Sequence, residues 1–308
     1  MEQEGRVAVV SRRSVLAASA ATPLLPLARP GRALAALSFT TETNVVYGTV
    51  DGEELLLDVY SPPDRAEPGP AVVVLHSGAW TSGVADRTAR TMKIAAENLA
   101  GAGYVAFNAD YRLTTIPRRF FWPDQLDDVQ RVVRWVRANA AAYNVDPERI
   151  GAYGHSAGAH LASMLGVRDT NDDSDPALAG ISSRVSCVVA LAGHFDLTIP
   201  YLKCFDEESV KRLLDERAAP DPASYRDASP LTWVDGNSAP FLIIHGLNDD
   251  LNPLDHPRRM IAALRAAGVE VNYAELPGVN HFNVADWDRT GTRTLSFFDA
   301  HLNPDGYR

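Results

Sequence analysis

Short apolar segments alternate with amphipathic helical patterns along most of this chain, and this alternation restricts the folds that it can adopt. Strand-like composition occurs in TNVVYG, ELLLDVY, AVVVLH, GYVAFNA, RIGAYG, VSCVVALAG, PFLIIHG and EVNYAEL. Between several of them, apolar residues recur at steps of three and four, which predicts helices at residues 87–100, 124–139, 156–167, 256–267 and 288–301. Continuously apolar strands that are separated by helices form a mostly parallel sheet with helices on both faces. The sequence therefore predicts an α/β fold.

Two regions depart from the regular alternation. The first two strand segments are close together and more amphipathic than the others, so we expect them to form an antiparallel edge. Residues 195–239 follow a central strand, are polar and proline-rich, and contain a short helical pattern near residues 207–217. Such an excursion predicts a small lid-like insertion within a single domain, residues 36–308.

The first 35 residues have the character of a leader. Arg12 and Arg13 precede a mildly apolar run without acidic residues, and a small-x-small triplet follows at residues 33–35. This order resembles a twin-arginine export signal at residues 1–35 and predicts a periplasmic or extracellular protein, with a disordered leader or an amphipathic surface helix as the alternatives. The run contains two prolines and is too short to span a bilayer, so we expect no stable membrane insertion.

Charge and cysteine content argue against several partners. The 308 residues carry 29 basic and 39 acidic side chains, a net charge of −10 that is spread along the chain. No basic stripe occurs, so nucleic acid is not an expected partner. Cys187 lies in an apolar run typical of a buried free thiol, and a bridge to Cys204 stays open as an alternative. Without a Cys-x-x-Cys or His-Glu-x-x-His motif, no metal site is expected.

A serine stands between two glycines in the segment IGAYGHSAGAHLAS, where a predicted strand meets a predicted helix. A serine hydroxyl is a poor nucleophile, and it must be exposed on a tight turn and deprotonated as it attacks. Such a turn requires very small residues two positions before and after Ser156, which are Gly154 and Gly158. Gly-x-Ser-x-Gly alone is a weak signal, because an ordinary glycine-rich turn also produces it. Its place between strand and helix favours a nucleophile elbow at Ser156.

A second candidate element follows the apolar strand in VVVLHSGAW, residues 72–80. Attack of a serine on a carbonyl group creates an oxyanion, which two N–H donors must stabilise. The N–H of Ala157, directly after the serine, can supply one donor. The loop after an adjacent strand has to supply the other, and Gly78 is the candidate, with assistance from Ser77.

These motifs resemble those of the α/β-hydrolase superfamily, and the resemblance covers nearly all of the chain after the leader. The chain is most similar to esterases with a His-Gly-Gly-x-Trp loop and a Gly-His-Ser-Ala-Gly elbow, which include hormone-sensitive-lipase-like carboxylesterases, feruloyl- and acetyl-esterase-like enzymes and arylformamidases. DYRL, FFWPDQLDDV and NVDPERIGAYGHSAGAHLA are similar to this branch too, and GHSAGAHLA is similar to arylformamidases in particular. Ser77 departs from the pattern, since the family usually has glycine there. The resemblance implies an α/β-hydrolase fold.

The resemblance also implies an acid and a base. In this superfamily the acid follows the serine along the chain, and the histidine follows the acid. Asp249 fits the family pattern His-Gly-x-x-Asp-x-x-x-Pro after the strand PFLIIHG, with Asp250 as its rival. His281, in LPGVNHFN, lies between the last predicted strand and the last predicted helix, where the base belongs. Ser156, Asp249 and His281 are the predicted catalytic triad, and the chemistry that they imply needs no cofactor.

Several side chains near the predicted triad are candidates for substrate contact. The predicted substrate-binding residues are Trp80, His155 and Phe282. Further aromatic candidates are Phe195, Tyr201 and Trp233. For each aromatic residue ordinary packing is the alternative, and His155 can instead form a local hydrogen bond beside the elbow.

Three functions are compatible with these residues. The first is hydrolysis of small to medium carboxylic esters, including acyl groups on carbohydrate, which an exported enzyme would meet outside the cell. The second is amide hydrolysis of the arylformamidase type, which the elbow supports but an export signal disfavours. The third is a non-catalytic relative that acts as a binding protein, which the complete set of Ser156, Asp249 and His281 disfavours. The sequence predicts a serine esterase that acts through an acyl-enzyme.

Overall fold

The computed structural model describes residues 38–63, 66–115, 119–199, 204–215 and 221–303. The predicted export signal at residues 1–35 lies outside the described residues. Within these ranges, eight strands form one sheet in the order β1-β2-β4-β3-β5-β6-β7-β8. The strands are β1 (Thr40–Val50), β2 (Glu53–Ser61), β3 (Gly69–Leu75), β4 (Val105–Ala109), β5 (Val145–His155), β6 (Cys187–Leu191), β7 (Phe241–Gly246) and β8 (Val271–Leu276).

The sheet is parallel except at one edge. Strand β2 pairs antiparallel with both β1 and β4, and the pairs from β4 through β3 to β8 are parallel. The predicted antiparallel edge and parallel centre are therefore confirmed. Because all the central strands run in one direction, their carboxyl ends meet at one edge of the sheet, which is where ligands bind in open α/β folds.

Helices cover both faces of this sheet. They are α1 (Arg90–Gly101), α2 (Asp124–Ala138), α3 (Ala157–Val167), α4 (Cys204–Leu213), α5 (Pro222–Asp227), α6 (Asp255–Ala266) and α7 (Trp287–Leu302). Strand β3 shows why an uninterrupted apolar sequence is needed, since successive side chains point to opposite faces. Val73 and Leu75 join the core beneath α2, α3 and α6, whereas Val72 and Val74 join the core beneath α1 and α7. The predicted α/β-hydrolase fold is confirmed.

The predicted insertion at residues 195–239 lies between β6 and β7, and its described parts pack on the domain. Val210 and Leu213 of α4 are buried in the core. The carbonyl oxygen of Ala228 accepts a hydrogen bond of 2.7 Å from Nε2 of His160 on α3. These contacts attach the insertion to α3, and its action as a lid stays a prediction. No described helix combines the length and apolar character that a membrane crossing requires.

Candidate active site

The predicted nucleophile occupies a strained turn between β5 and α3. Ser156 has φ of 55° and ψ of −116°, a backbone conformation that residues with a side chain rarely adopt. A Cβ atom added to Gly154 would lie 2.2 Å from the carbonyl oxygen of Gly158, and one added to Gly158 would lie 2.1 Å from that of Leu75. Both contacts are with backbone atoms that cannot move cheaply. The turn therefore requires glycine two residues before and after Ser156.

The structure brings Ser156, His281 and Asp249 together in a chain of hydrogen bonds. Nε2 of His281 lies 2.8 Å from Oγ of Ser156, and Nδ1 of His281 lies 2.9 Å from Oδ2 of Asp249. The three residues follow three different strands, β5, β8 and β7, at the same edge of the sheet. Their side chains are nearly or fully buried. This arrangement allows the imidazole to take a proton from the serine while the carboxylate orients the ring.

Asp249, and not its rival Asp250, contacts the histidine. Oδ1 of Asp249 accepts backbone N–H bonds from Leu251 at 3.1 Å and from Asn252 at 2.8 Å, which leaves Oδ2 facing His281. The side chain of Asp249 is completely buried. Burial opposes ionisation of this carboxyl group, but the hydrogen bond and charge of His281 outweigh it and lower the pKa of Asp249. Asp249 is therefore ionised in the folded protein near neutral pH.

The loop after β3 lies against the start of α3, as an oxyanion site requires. Carbonyl oxygens of Leu75 and His76 are the nearest atoms to a Cβ built on Gly158. Gly78 has φ of +114°, and its neighbours Ala79 and Trp80 also have positive φ. Three successive residues of loop 76–80 thus have left-handed backbone conformations and not extended ones. Ala157 is the first residue of α3, so its N–H lies at the positive end of the helix dipole.

Two residues that the sequence analysis did not select support Asp249. Nδ2 of Asn252 donates to the carbonyl oxygens of Ala192, at 3.0 Å, and Gly193. These bonds attach the loop that carries Asp249 to the loop after β6. Nε2 of His245 lies 2.8 Å from the carbonyl oxygen of Asn252 and 3.3 Å from Oδ2 of Asp249. His245 is the first position of the family pattern His-Gly-x-x-Asp-x-x-x-Pro, whereas Asn252 is a variable position of that pattern, in the loop after β7.

The substrate-contact candidates occupy different environments. Trp80 is 1 % exposed and packs edge-on against the rings of His160 and His194. His155 is 4 % exposed, and its Nε2 lies 2.8 Å from the carbonyl oxygen of His281. Phe282 is 69 % exposed, with its ring edge-on to that of His281. Phe282 is thus the accessible member of the selected three.

The other aromatic candidates that the structure describes, Phe195 and Trp233, pack within the fold. Phe195 is fully buried in the core. Trp233 packs beneath the guanidinium group of Arg168 at 4.0 Å and donates through Nε1 to the carbonyl oxygen of Asp227 at 2.8 Å. Both therefore have structural roles, and Tyr201 lies outside the described residues.

Comparison with a family model decides the family. The BD-FAE model matches residues 57–264, a range that includes loop 76–80, Ser156 and Asp249 and ends before His281. The chain belongs to the BD-FAE family. Its fold and relatives put it in the hormone-sensitive-lipase-like carboxylesterase branch of the α/β-hydrolases.

The relatives of this BD-FAE family member include esterases from bacteria. Esterase LipC of Mycobacterium tuberculosis is 33 % identical over 258 residues, which cover 80 % of this chain and 61 % of LipC. Esterase LipQ of the same organism is 32 % identical over 253 residues, which cover 78 % of this chain and 56 % of LipQ. The chain thus spans about three fifths of the length of the curated relatives it matches.

Solved structures of similar fold include further esterases. Thermogutta terrifontis esterase 2 was solved with butyrate bound (27 % identity, TM-score 0.70, 85 % of this chain and 96 % of that chain). The same enzyme was solved phosphonylated by sarin (26 % identity, TM-score 0.70, 90 % of this chain and 100 % of that chain). An acetyl ester-xyloside bifunctional hydrolase from Caldicellulosiruptor lactoaceticus is 25 % identical, with a TM-score of 0.68 over 81 % of this chain and 89 % of that chain.

No group of side chains suited to a metal ion occurs in the described part of this BD-FAE family member. Cys187 is a free thiol buried in β6, as its apolar run predicted. Burial raises the pKa of the Cys187 thiol, which keeps it protonated and unreactive.

Buried histidines surround the predicted triad. Burial lowers the pKa of His155 and His160 to about 4 and that of His256 to about 3. Burial lowers the pKa of His194 and His245 as well. These imidazoles are therefore neutral near pH 7.

We expect the folded protein to lose stability as pH falls from 6.5 toward 4. An unfolded histidine binds a proton below its ordinary pKa of 6.5, whereas His160 resists protonation down to about 4 when folded, so acid favours unfolding. Asp127 partly opposes this trend, because burial raises its pKa to about 6. Replacement of His160 by glutamine removes one titrating group, and the slope of unfolding free energy against pH should fall by up to about 1.4 kcal/mol per pH unit.

The measurement is urea denaturation of both proteins at intervals from pH 7 to pH 4. Glutamine can donate to the carbonyl oxygen of Ala228 as His160 does, so the comparison changes the titrating group with little change in hydrogen bonding. Equal slopes in the two proteins would contradict the prediction.

Proposed function

We propose that this chain is a serine carboxylesterase. The observation that carries the proposal is the continuous hydrogen-bond chain from Oγ of Ser156 through His281 to the buried carboxylate of Asp249. A strained turn presents the serine, and the glycines two residues before and after it allow the close backbone contacts of that turn. The named esterases among the relatives support the same activity.

Acylation is the first half of the proposed reaction. His281 accepts the proton of Ser156 at Nε2 as Oγ attacks the ester carbonyl carbon. Asp249 holds Nδ1–H of His281 and stabilises the imidazolium that forms. The N–H groups of Ala157 and Gly78, with assistance from Ser77, receive the oxyanion. The tetrahedral intermediate then expels the alcohol, which takes the proton from Nε2 of His281 and leaves an acyl group on Ser156.

Deacylation repeats these steps with water. His281 removes a proton from a water molecule as its oxygen attacks the acyl carbon. Collapse of the second tetrahedral intermediate returns the proton to Oγ of Ser156 and releases the carboxylic acid. All proton transfers use His281, so the proposed chemistry needs no second general acid or base from the chain.

Small to medium acyl esters are the proposed substrates. The butyrate-bound form of the Thermogutta esterase supports a short acyl chain, and the acetyl ester-xyloside hydrolase supports acyl groups on carbohydrate. Export through a twin-arginine signal at residues 1–35, with residues 36–308 as the catalytic domain, agrees with such substrates. It would bring the enzyme to polymers that do not enter cells.

The test combines turnover with covalent labelling. Hydrolysis of p-nitrophenyl esters of increasing acyl length, and of N-formylkynurenine, is measured for wild type and for Ser156→Ala. We expect short esters to be hydrolysed by wild type, and kcat to fall by about 10⁴-fold or more in the variant. A fluorophosphonate probe should label wild type at Ser156, as judged by peptide mass. Sarin phosphonylates the Thermogutta esterase, which supports the choice of probe.

Ser186→Ala is the matched control. Ser186 precedes β6 at the opposite end of the sheet, where its hydroxyl donates to the carbonyl oxygen of Glu148 at 2.7 Å. This variant should keep wild-type turnover and labelling. Faster hydrolysis of N-formylkynurenine than of every ester would favour the amide hydrolase. Absence of both turnover and labelling would favour a binding protein.

A further inference from the structure

His155 connects strand β5 with the loop that carries His281. This loop, residues 277–286 between β8 and α7, is called the base loop below. His155 is the last residue of β5 and immediately precedes Ser156. Its ring lies 5.3 Å from the ring of His281, and its Nε2 lies 2.8 Å from the carbonyl oxygen of His281. The bond thus connects two residues that are 126 positions apart in the chain.

The protonation of His155 follows from this contact. A carbonyl oxygen only accepts hydrogen bonds, so Nε2 of His155 must carry the proton and donate. Burial and the neighbouring His281 lower the pKa of His155 to about 4, which keeps the ring neutral. A neutral donor can hold the His281 main chain without adding a second positive charge beside the imidazolium that forms during the proposed reaction.

The base loop has other anchors, but they act on the neighbours of His281. The backbone N–H of Asn248 donates to the carbonyl oxygen of Val279 at 2.9 Å. Oδ1 of Asn280 accepts the N–H groups of Phe282 and Asn283 at 3.0 Å, which stabilises the turn internally. The hydrogen bond from His155 is made to the peptide group of His281 itself. It therefore holds the His281 main chain in a fixed position relative to His155, the residue next to Ser156.

We propose that His155 is a positioning residue, whose Nε2–H fixes the main chain of His281 at the distance from Ser156 that proton transfer requires. This inference rests on the proposed function and replaces substrate contact as the role of His155. Proton transfer requires the two heavy atoms to approach within about 2.6–3.2 Å, and a misplacement of about 1 Å can cost about 100-fold in rate. Nε2 of His281 and Oγ of Ser156 lie within that range at 2.8 Å.

Two substitutions separate positioning from packing. His155→Leu removes the donor but keeps a buried side chain, whereas His155→Gln places an amide N–H near the original Nε2. We expect kcat to fall by about 10–100-fold in the leucine variant, with KM within about threefold of wild type. The glutamine variant should recover most of the lost kcat. His301→Leu, on α7 with its ring against Phe297, is the matched histidine control and should keep wild-type turnover.

A spectroscopic measurement tests the inference without turnover. The proton on Nδ1 of His281, bound to Asp249, should give a downfield proton NMR signal that identifies an ordered ring, assigned by its loss in His281→Gln. We expect this signal to broaden or disappear in His155→Leu and to return in His155→Gln, while the thermal midpoint of both variants reports on folding.

The outcomes distinguish the inference from the proposed function. A rise in KM at unchanged kcat in His155→Leu would overturn positioning in favour of substrate contact. Unchanged kcat, KM and NMR signal would overturn it in favour of packing. If wild type shows no turnover that depends on Ser156, the proposed function fails, and the NMR comparison still decides whether His155 orders His281.

Discussion

Asp249→Asn is expected to lower kcat for ester hydrolysis by about 10⁴-fold with little change in fold. The amide oxygen of asparagine can still accept the backbone N–H groups of Leu251 and Asn252, which hold Oδ1 of the carboxylate. The amide nitrogen would then replace Oδ2 and face Nδ1 of His281 with a donor. Because two donors cannot bond, His281 would place its proton on Nε2 and lose the ability to accept the proton of Ser156.

Asp250→Asn provides the control for this prediction. It changes the same charge at the neighbouring position, but the side chain of Asp250 is exposed and Asp249 makes the contact with His281. Steady-state hydrolysis of a short p-nitrophenyl ester by both variants is the measurement, with circular dichroism as the check on folding. Comparable losses in the two variants, or a larger loss in Asp250→Asn, would show that the acid has been assigned to the wrong residue.

Gly158→Ala is expected to lower the free energy of unfolding by about 3 kcal/mol or more. Alanine normally favours a helix over glycine, so secondary-structure propensity alone predicts the opposite sign. The new Cβ atom would lie 2.1 Å from the carbonyl oxygen of Leu75 and 2.5 Å from that of His76. Relief of this overlap requires α3 to move away from β3. That movement would also displace loop 76–80, so turnover should fall with stability.

Gly236→Ala tests whether steric overlap is the cause. A Cβ atom at Gly236 would lie 3.7 Å from its nearest neighbour, the carbonyl oxygen of Ala267, which is an ordinary contact. Urea denaturation at neutral pH should therefore give a near wild-type midpoint for this variant and a much lower one for Gly158→Ala. Equal midpoints would show that the elbow tolerates a side chain at position 158.

The fold and the three central residues could be predicted from the sequence because each leaves a local signal. Continuously apolar segments indicate parallel strands, and Gly154 and Gly158 mark the turn around Ser156. Asp249 and His281 follow strands, so their places in the chain put them at the same edge as the serine. In the structure the three side chains lie within hydrogen-bond distance of one another in sequence, from Ser156 to His281 to Asp249.

Other features of the site could not be predicted, because they depend on contacts between segments that are distant in the sequence. The support that His155 gives to His281 spans 126 residues, and the positive φ of Ala79 and Trp80 has no counterpart in their residue type. Helix α5 is too short for a periodic pattern to indicate it. The Asp221–Pro222 pair at its start is a recognisable signal, since Asp221 accepts the N–H of Ala223 at 3.0 Å.

The placement of Ser156, Asp249 and His281 after different strands also has a consequence in time. The serine and the histidine are 125 positions apart, and the histidine comes from the loop before the final helix, α7. During synthesis from the amino terminus, Ser156 is made well before the residues that would activate it. In the proposed mechanism the nascent chain therefore carries an ordinary serine, and hydrolysis begins only when β7 and β8 have joined the sheet.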